Sequence, residues 1–277
     1  MGDGGMKKVK KTNRMLEIIL WLFSVVTIYP ILMVVFTSFK GKGESSYMSI
    51  KLPKEWHFEN YLTVLEKNFV QSLGNSVFIT LISVALIVTL AAFLSFIIVR
   101  RDDMICRIAY KAVTLGIIAP FAAMPTIQLM QKLGIYGSRF GLCLVYSALY
   151  MPFTAMMFTS FIKGIPRELD EAAVMDGAIG ARLFVLVILP LLKPVLATTG
   201  ILSFMWVWNE LQIPMYLLNS SSKWTLPLSV YNFYGQFSHS WNLVCADVVL
   251  VSLPVVLIYI FAQKWVISGM TAGAVKG

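Results

Sequence analysis

Charge is scarce in this chain. Only 13% of its 277 residues are Asp, Glu, Lys or Arg, about half the roughly 25% of an ordinary soluble domain. Histidine occurs twice, at His57 and His239, and cysteine three times, at Cys106, Cys143 and Cys245. The cysteines are scattered with no C-x-x-C spacing, so they read as small apolar packing residues rather than a disulfide frame or a metal site. There is no H-E-x-x-H, no G-x-S-x-G and no carboxylate pair within an apolar run, which leaves little from which to build a metal or nucleophile site. A G-x-x-x-x-G-K-[ST] phosphate loop is missing too, so this chain cannot supply a nucleotide site of that kind. These absences weigh against an enzyme.

What the chain has instead is apolar length. It is 58% hydrophobic with a mean hydropathy of +0.76. A membrane-crossing helix needs about 20 apolar residues, and six runs approach that length, near 16–38, 75–99, 107–131, 140–162, 183–207 and 243–266. Each is about twice as long as a membrane strand, so the pattern predicts an all-α polytopic membrane protein with six transmembrane helices, not a barrel. The third run is the least regular, with Pro120 and Pro125 inside it and Lys111 and Gln128 near its ends. The first is too long for a signal-peptide core and lacks a small-residue cleavage pattern, so it reads as a retained anchor.

Positive charge sets the orientation. Lys7, Lys8, Lys10, Lys11 and Arg14 precede the first run, Arg100, Arg101 and Arg107 follow the second, and Lys163, Arg167 and Arg182 follow the fourth. With six crossings all of these lie on one side, which the positive-inside rule makes the cytoplasm. The segment 39–70 is balanced by four glutamates against five lysines and weighs less. Both termini are therefore expected inside a bacterial plasma membrane: a basic tail over 1–15, the spanning domain over 16–266, and a small flexible tail over 267–277. The net charge of +9 reads as topology and attraction to anionic lipid, not nucleic-acid binding.

The internal loop 163–182 is the most informative segment. Pro166 suits the first turn of a helix, and Glu168, Asp170 and Glu171 then sit beside the positive end of its dipole. Gly177 is placed to end that helix in a left-handed cap. A helix over 166–176 would run about 16 Å, with small apolar and acidic faces. From spacing alone it is either an interfacial connector or a docking surface.

The segment resembles the cytoplasmic coupling loop of ATP-binding-cassette importer permeases, whose pattern is E-A-A, three residues, G, nine residues, I-x-L-P. Glu171, Ala172, Ala173, Gly177, Leu189 and Pro190 match in register. Val187 stands at the isoleucine position, and Asp176 and Ala178 suit the D-G-A form. Further likeness to carbohydrate-importer permeases of the maltose type lies in Tyr29 and Pro30, the run Phe36, Thr37, Ser38, Phe39, Lys40, then Asn60, Tyr61, Asn75, Ser76, the trio Trp208, Asn209, Glu210, and the end from Thr271 to Gly277.

The resemblance implies a type I ABC importer permease fold and a division of labour. A second permease subunit would complete the path, separate ATPase subunits would bind ATP and magnesium, and an extracytoplasmic solute-binding protein would deliver a sugar or oligosaccharide. This chain would bind no cofactor itself. Glu171 would make the polar contact with the ATPase, Ala172 and Ala173 would fit its groove, and Gly177 would shape the turn, with Asp176, Ala178 and Pro190 in the same motif.

Other residues keep two readings at this point. Trp208, Trp224, Tyr231, Phe233, Tyr234, Phe237 and Trp241 cluster in the external segment 208–242, as an aromatic interface belt or as sugar-stacking faces. Asn209, Glu210, Tyr231 and Tyr234 are candidates for contact with substrate or binding protein, Asn209 and Glu210 alternatively for a structural role at the end of the fifth run. Lys193, about ten residues into the fifth run, either snorkels or faces the bundle interior, and Asp247 stands near the outer end of the sixth. The rival function is an ion-coupled secondary transporter of a small polar solute, which would normally place acids at the midplane.

Overall fold

The computed structural model describes residues 3–101, 103–234 and 240–274, with side chains for 14–101, 103–234 and 240–261. Among the described residues every regular element is helical. The chain divides into two compact units, one of residues 1–69 with 230–252 and the other of 70–229 with 253–277.

In the first unit, α1 (Asp3–Ser38) carries the first apolar run and begins within the segment expected as a basic tail. Short helices α2 (Lys42–Ser45) and α3 (Glu59–Val64) follow. A wide turn at Leu65–Phe69 then kinks where Asn68 takes φ 61°. The end of α1 folds around buried polar groups. Asn60 Nδ2 donates to the carbonyls of Ser38 and Lys40 at 2.8 and 3.0 Å, and Asn242 Nδ2 donates to Asn60 Oδ1 at 2.8 Å. Lys40 is fully buried and donates from Nζ to the carbonyl and hydroxyl of Ser49 at 2.8 and 3.0 Å. Buried polar groups are tolerated only when paired, and the pairing here locks the chain reversal after the first span. Phe39 packs beside it among Trp56, Phe58 and Tyr61.

The second unit is built on α4 (Val70–Arg100) and α7 (Arg139–Ile162). Their contact is lined by Ala91, Ala92 and Ala155, and Ser95 Oγ donates to the Ala155 carbonyl at 2.8 Å. Small residues let two backbones approach closely, the usual basis of helix association in lipid. Between them lie α5 (Met104–Leu115) and α6 (Ala123–Lys132). Asp103 caps α5 by accepting from the Cys106 N–H at 2.7 Å. The remaining elements are α8 (Glu168–Met175), α9 (Ala181–Leu183), a π turn at Phe184–Ile188, α10 (Leu189–Leu191), α11 (Lys193–Asn209) and α12 (Gln212–Leu217). The last helix, α13 (Trp241–Ala274), belongs partly to each unit. It reaches into the segment expected as a flexible C-terminal tail; residues 275–277 of that tail lie outside the described ones.

Among the described residues four helices are long and apolar enough to cross a membrane, Arg14–Ser38, Glu59–Arg100, Arg139–Ile162 and Trp241–Phe261. A fifth is a pair, Ala181–Leu191 with Lys193–Asn209, bent by 81°. Proline explains the bend: Pro190 and Pro194 lack the N–H groups that would bond back to the carbonyls of Leu186 and Pro190. The expected third span, 107–131, is two helices of 12 and 10 residues parted by an irregular stretch from Gly116 to Ala122. Neither piece alone reaches the length a span needs. Among the described residues the helices thus supply four spans, or five with the bent pair, and the expected count of six is not reached by continuous helices alone.

Candidate functional site

The segment after α7 folds into the compact hairpin of α8 and α9. Pro166 lies just ahead of the helix rather than in its first turn, so α8 is shorter than the expected 166–176. Its end follows the expectation closely. Gly177 takes φ +80°, its N–H bonds to the Val174 carbonyl at 2.9 Å, and the Ala178 N–H bonds to the Ala173 carbonyl at 2.8 Å. Those two bonds form a Schellman cap, in which the residue after the glycine packs against the residue that starts the motif. Ala173 and Ala178 are that pair, both buried, and Leu183 joins them against Phe96 and Val187. Neither alanine faces outward for a partner to touch.

The outward face is different. Glu171, Ala172 and Asp176 are exposed. So are the large apolar side chains Leu169, Val174, Met175 and Ile179, with Met175 at 88% exposure. Two arginines tie the base of the hairpin to the end of α4. Arg100 forms an ion pair with Asp170, Nη2 to Oδ1 at 3.2 Å and Nε to Oδ2 at 2.5 Å, with both side chains mostly buried. Its guanidinium also donates to the Ile165 carbonyl at 3.4 Å, and Arg167 Nη2 reaches the Val99 carbonyl at 3.4 Å. From the sequence Asp170 reads only as a helix-dipole acid. Its partner lies 70 residues upstream, and no local pattern shows it.

The hairpin continues into the bent pair. Phe184 packs on Phe93 and Phe96 of α4 with ring centroids 4.4 and 5.2 Å apart. Pro190 is exposed in α10 at the bend. A displacement of α8 thus has two physical routes inward, through the Arg100–Asp170 pair to α4 and through Leu183 and Phe184 to the fifth apolar run.

Residues 111–272 match the family of binding-protein-dependent transport system inner membrane components. The chain belongs to this family. It is 34% identical, over 98% of its length and all of the relative's, to a putative ABC transporter permease protein of Caldicellulosiruptor sp. strain Rt8B.4. It is 31% identical, with the same shares covered, to a probable starch degradation products transport system permease of Thermoanaerobacterium thermosulfurigenes. In fold it resembles a chain of a bacterial ABC transporter that imports the acidic polysaccharide alginate, with a TM-score of 0.79, 24% identity, and 95% of this chain and 98% of that one covered. The resemblance drawn from the coupling motif thus holds for the chain as a whole, and the family is one of transport components of the membrane.

The other candidate residues of this family member separate. Asn209 and Glu210 belong to the second unit, Tyr231 and Tyr234 to the first. Glu210 is occupied structurally: Oε1 accepts from the N–H groups of Gln212 and Ile213 at 2.9 and 3.1 Å, and the Tyr150 hydroxyl donates to Oε2 at 3.4 Å. It caps α12. Asn209 is exposed and returns its amide to the Met205 carbonyl at 2.8 Å. Both line a hollow of about 320 Å³ with Tyr150, Leu202, Met205 and Trp206. Tyr231 and Tyr234 are exposed, their rings edge to face at 6.4 Å. Trp208 is buried in α11 and stacks on Phe204, so it serves packing. Phe237 and His239 lie outside the described residues. Lys193 is exposed at the bend, where the helix break lets its ammonium out. Asp247 is fully buried.

Proposed function

We propose that this chain is half of the translocation path of an ATP-driven sugar or oligosaccharide importer. The hairpin 163–182 docks on a separate ATPase subunit. The observation that carries the proposal is the division of that hairpin into an inner and an outer face. Ala173, Ala178 and Leu183 hold it down, Arg100 and Asp170 link it to α4, and Glu171, Ala172, Val174 and Met175 are left to a partner. A rigid element with a free face and two mechanical routes inward suits a lever between two conformations.

On this reading the membrane is crossed six times. α5 and α6 together form a broken third crossing, the bent pair forms the fifth, and both termini lie in the cytoplasm of a bacterial cell. Broken helices at membrane depth are tolerated where neighbouring protein covers them. ATP and magnesium would bind to the ATPase, and the work done on this chain is a coupling free energy between the docked hairpin and the gate. A second permease and an extracytoplasmic binding protein complete the importer. Carbohydrate as the cargo is supported by the relative named as a probable starch degradation products transport permease and by the hollow at Tyr150, Trp206 and Asn209, where aromatic faces meet an amide.

The test is purification of the tagged chain in mild detergent with every companion identified by mass, beside its Glu171→Ala variant. A Walker-A ATPase and a second multispan protein should accompany the chain, with the ATPase depleted in the variant. Uptake that continues with ATP exhausted and the ion gradient clamped would overturn the reading in favour of a secondary transporter.

A further inference from the structure

Beside the hairpin, between the end of α4, the start of α5 and the end of α7, lies a cavity of about 830 Å³. Five cations line it, Arg100, Arg107, Lys111, Lys163 and Arg167, with Glu168 the one carboxylate in its wall. They come from three stretches of sequence, around residues 100, 107–111 and 163–167, brought together by the fold. Not all of this charge is available. Arg100 is committed to Asp170, and Arg107 acts with Arg101 on Asp103, whose carboxyl is held below the usual range mainly by the Cys106 N–H it accepts. Lys111 and Lys163 are exposed into the opening, and Lys163 Nζ stands 5.7 Å above the Tyr110 ring. A pocket of this size is ample for a small ligand, and its charge selects an anion.

The neighbouring surface says which anion. Along α5, Arg107 and Lys111 are four residues apart and share a face. Met104, Ile108 and Leu115 form the adjoining stripe, with Ile105 beside it, all exposed. A cationic row edged by an apolar row suits the level where lipid headgroups meet their acyl chains. An anion with a hydrocarbon tail satisfies both rows at once, whereas a free phosphate would satisfy one. We propose that the cavity binds the phosphodiester headgroup of an anionic phospholipid, its acyl chains lying along the Met104, Ile108 and Leu115 stripe. Basic pockets between membrane helices near the cytoplasmic surface hold such headgroups. Because Arg167 and Glu168 join the cavity wall to α8, a bound lipid would touch the base of the docking hairpin. The inference needs the chain to reside in a membrane but does not depend on its cargo or its ATPase.

The experiment is a titration of the full-length chain, stripped of lipid in detergent, with short-chain phosphatidylglycerol, short-chain phosphatidylcholine and inorganic phosphate, read by native mass spectrometry and by the thermal midpoint. Phosphatidylglycerol should bind saturably and at least tenfold more tightly than the other two. Lys111→Gln with Lys163→Gln should weaken it at least tenfold, the corresponding double change to arginine should retain it, and Lys132→Gln should leave it unchanged. Glu168→Gln should tighten it, which keeps a positive result within reach even if the double glutamine chain folds poorly. Equal binding of phosphatidylcholine, a double glutamine chain that binds as wild type, or weakening by Glu168→Gln would overturn the site. Inorganic phosphate as tight as phosphatidylglycerol, with the same lysine dependence, would overturn the lipid and leave a soluble phosphate ester as the ligand.

Discussion

Two connecting segments of the same compact unit are held in opposite ways. The one after α11, residues 210–229, is welded to its surroundings. Asn75 Nδ2 donates to the carbonyls of Ser222 and Trp224 at 2.9 and 3.0 Å, and Arg139 Nη1 donates to Asn75 Oδ1 at 2.8 Å. Lys223 Nζ holds the Gly137 carbonyl at 2.7 Å, and the Leu226 N–H reaches Ser76 Oγ at 2.7 Å. Leu217, Leu226 and Leu228 are buried. The one after α7, residues 163–182, is tied at its base and capped at its tip, and its outer face is exposed. The first is buttressed along its length, whereas the second leaves apolar side chains such as Met175 and Ile179 in the open. The segment after α11 is thus part of the scaffold, and the one after α7 is, on the proposed function, the working surface.

The largest expected effect on stability comes from breaking the weld. Asn75→Leu removes both amide donors and leaves two carbonyls and a guanidinium short of a partner. At about 1–3 kcal/mol for each buried group left unsatisfied, with partial relaxation, the loss should be near 3 kcal/mol. A detergent-solubilised variant should show a fall in thermal midpoint well beyond that of a surface substitution. A fall no larger than that of a surface substitution would mean that residues 210–229 are not welded.

Next comes the base of the docking hairpin. Arg100 and Asp170 have side chains only 12% and 15% exposed, so their attraction is little screened. A double-mutant cycle with Arg100→Met and Asp170→Asn should return a coupling of about 1–2 kcal/mol, less than a fully buried pair because water reaches its edge. Each single variant should also lower ATP-driven uptake, since it cuts one of the two routes from α8 inward. Additive single effects would show that the hairpin is held by packing alone.

These two cases mark where the sequence was legible. Gly177, Asp176 and Ala178 lie within one turn of each other, so the cap could be read from spacing, and φ +80° at Gly177 bears it out. Asn75 and Ser76 stood out only as part of a resemblance; their partners lie about 150 residues away, and nothing local announces them. The same limit hid Asp170's ion pair, whereas Glu210's cap on α12 is the structural one of its two readings, two and three residues from the N–H groups it holds. Apolar length gave the helical class but not the breaks within the third and fifth runs, since hydropathy sums over Pro120, Pro190 and Pro194 while the backbone does not.

A smaller effect on the fold is expected at the hairpin tip. A side chain at Gly177 would meet no atom within 4 Å, so Gly177→Val is opposed by the positive φ alone, about 1–2 kcal/mol. The thermal midpoint should move modestly while ATP-driven uptake falls well below that of the wild type, because the cap sets the angle at which α8 presents its outer face. Normal uptake would show that this angle is adjustable.

The smallest effect on the chain itself should be at Met175. Its side chain is 88% exposed, so Met175→Ser removes no packing in this molecule, and its stability should stay within about 0.5 kcal/mol of wild type. Its effect on docking should be the reverse. Apolar area withdrawn from water by a partner contributes about 25 cal/mol per Å², so losing a fully exposed methionine should weaken capture of the ATPase several-fold in pull-downs at matched protein concentration. Leu226→Ser, on the welded segment, should show the opposite pattern, a damaged chain that still binds ATPase in proportion to what folds. If Met175→Ser leaves ATPase capture untouched while Leu226→Ser reduces it at equal folded protein, the assignment of scaffold and working surface is inverted.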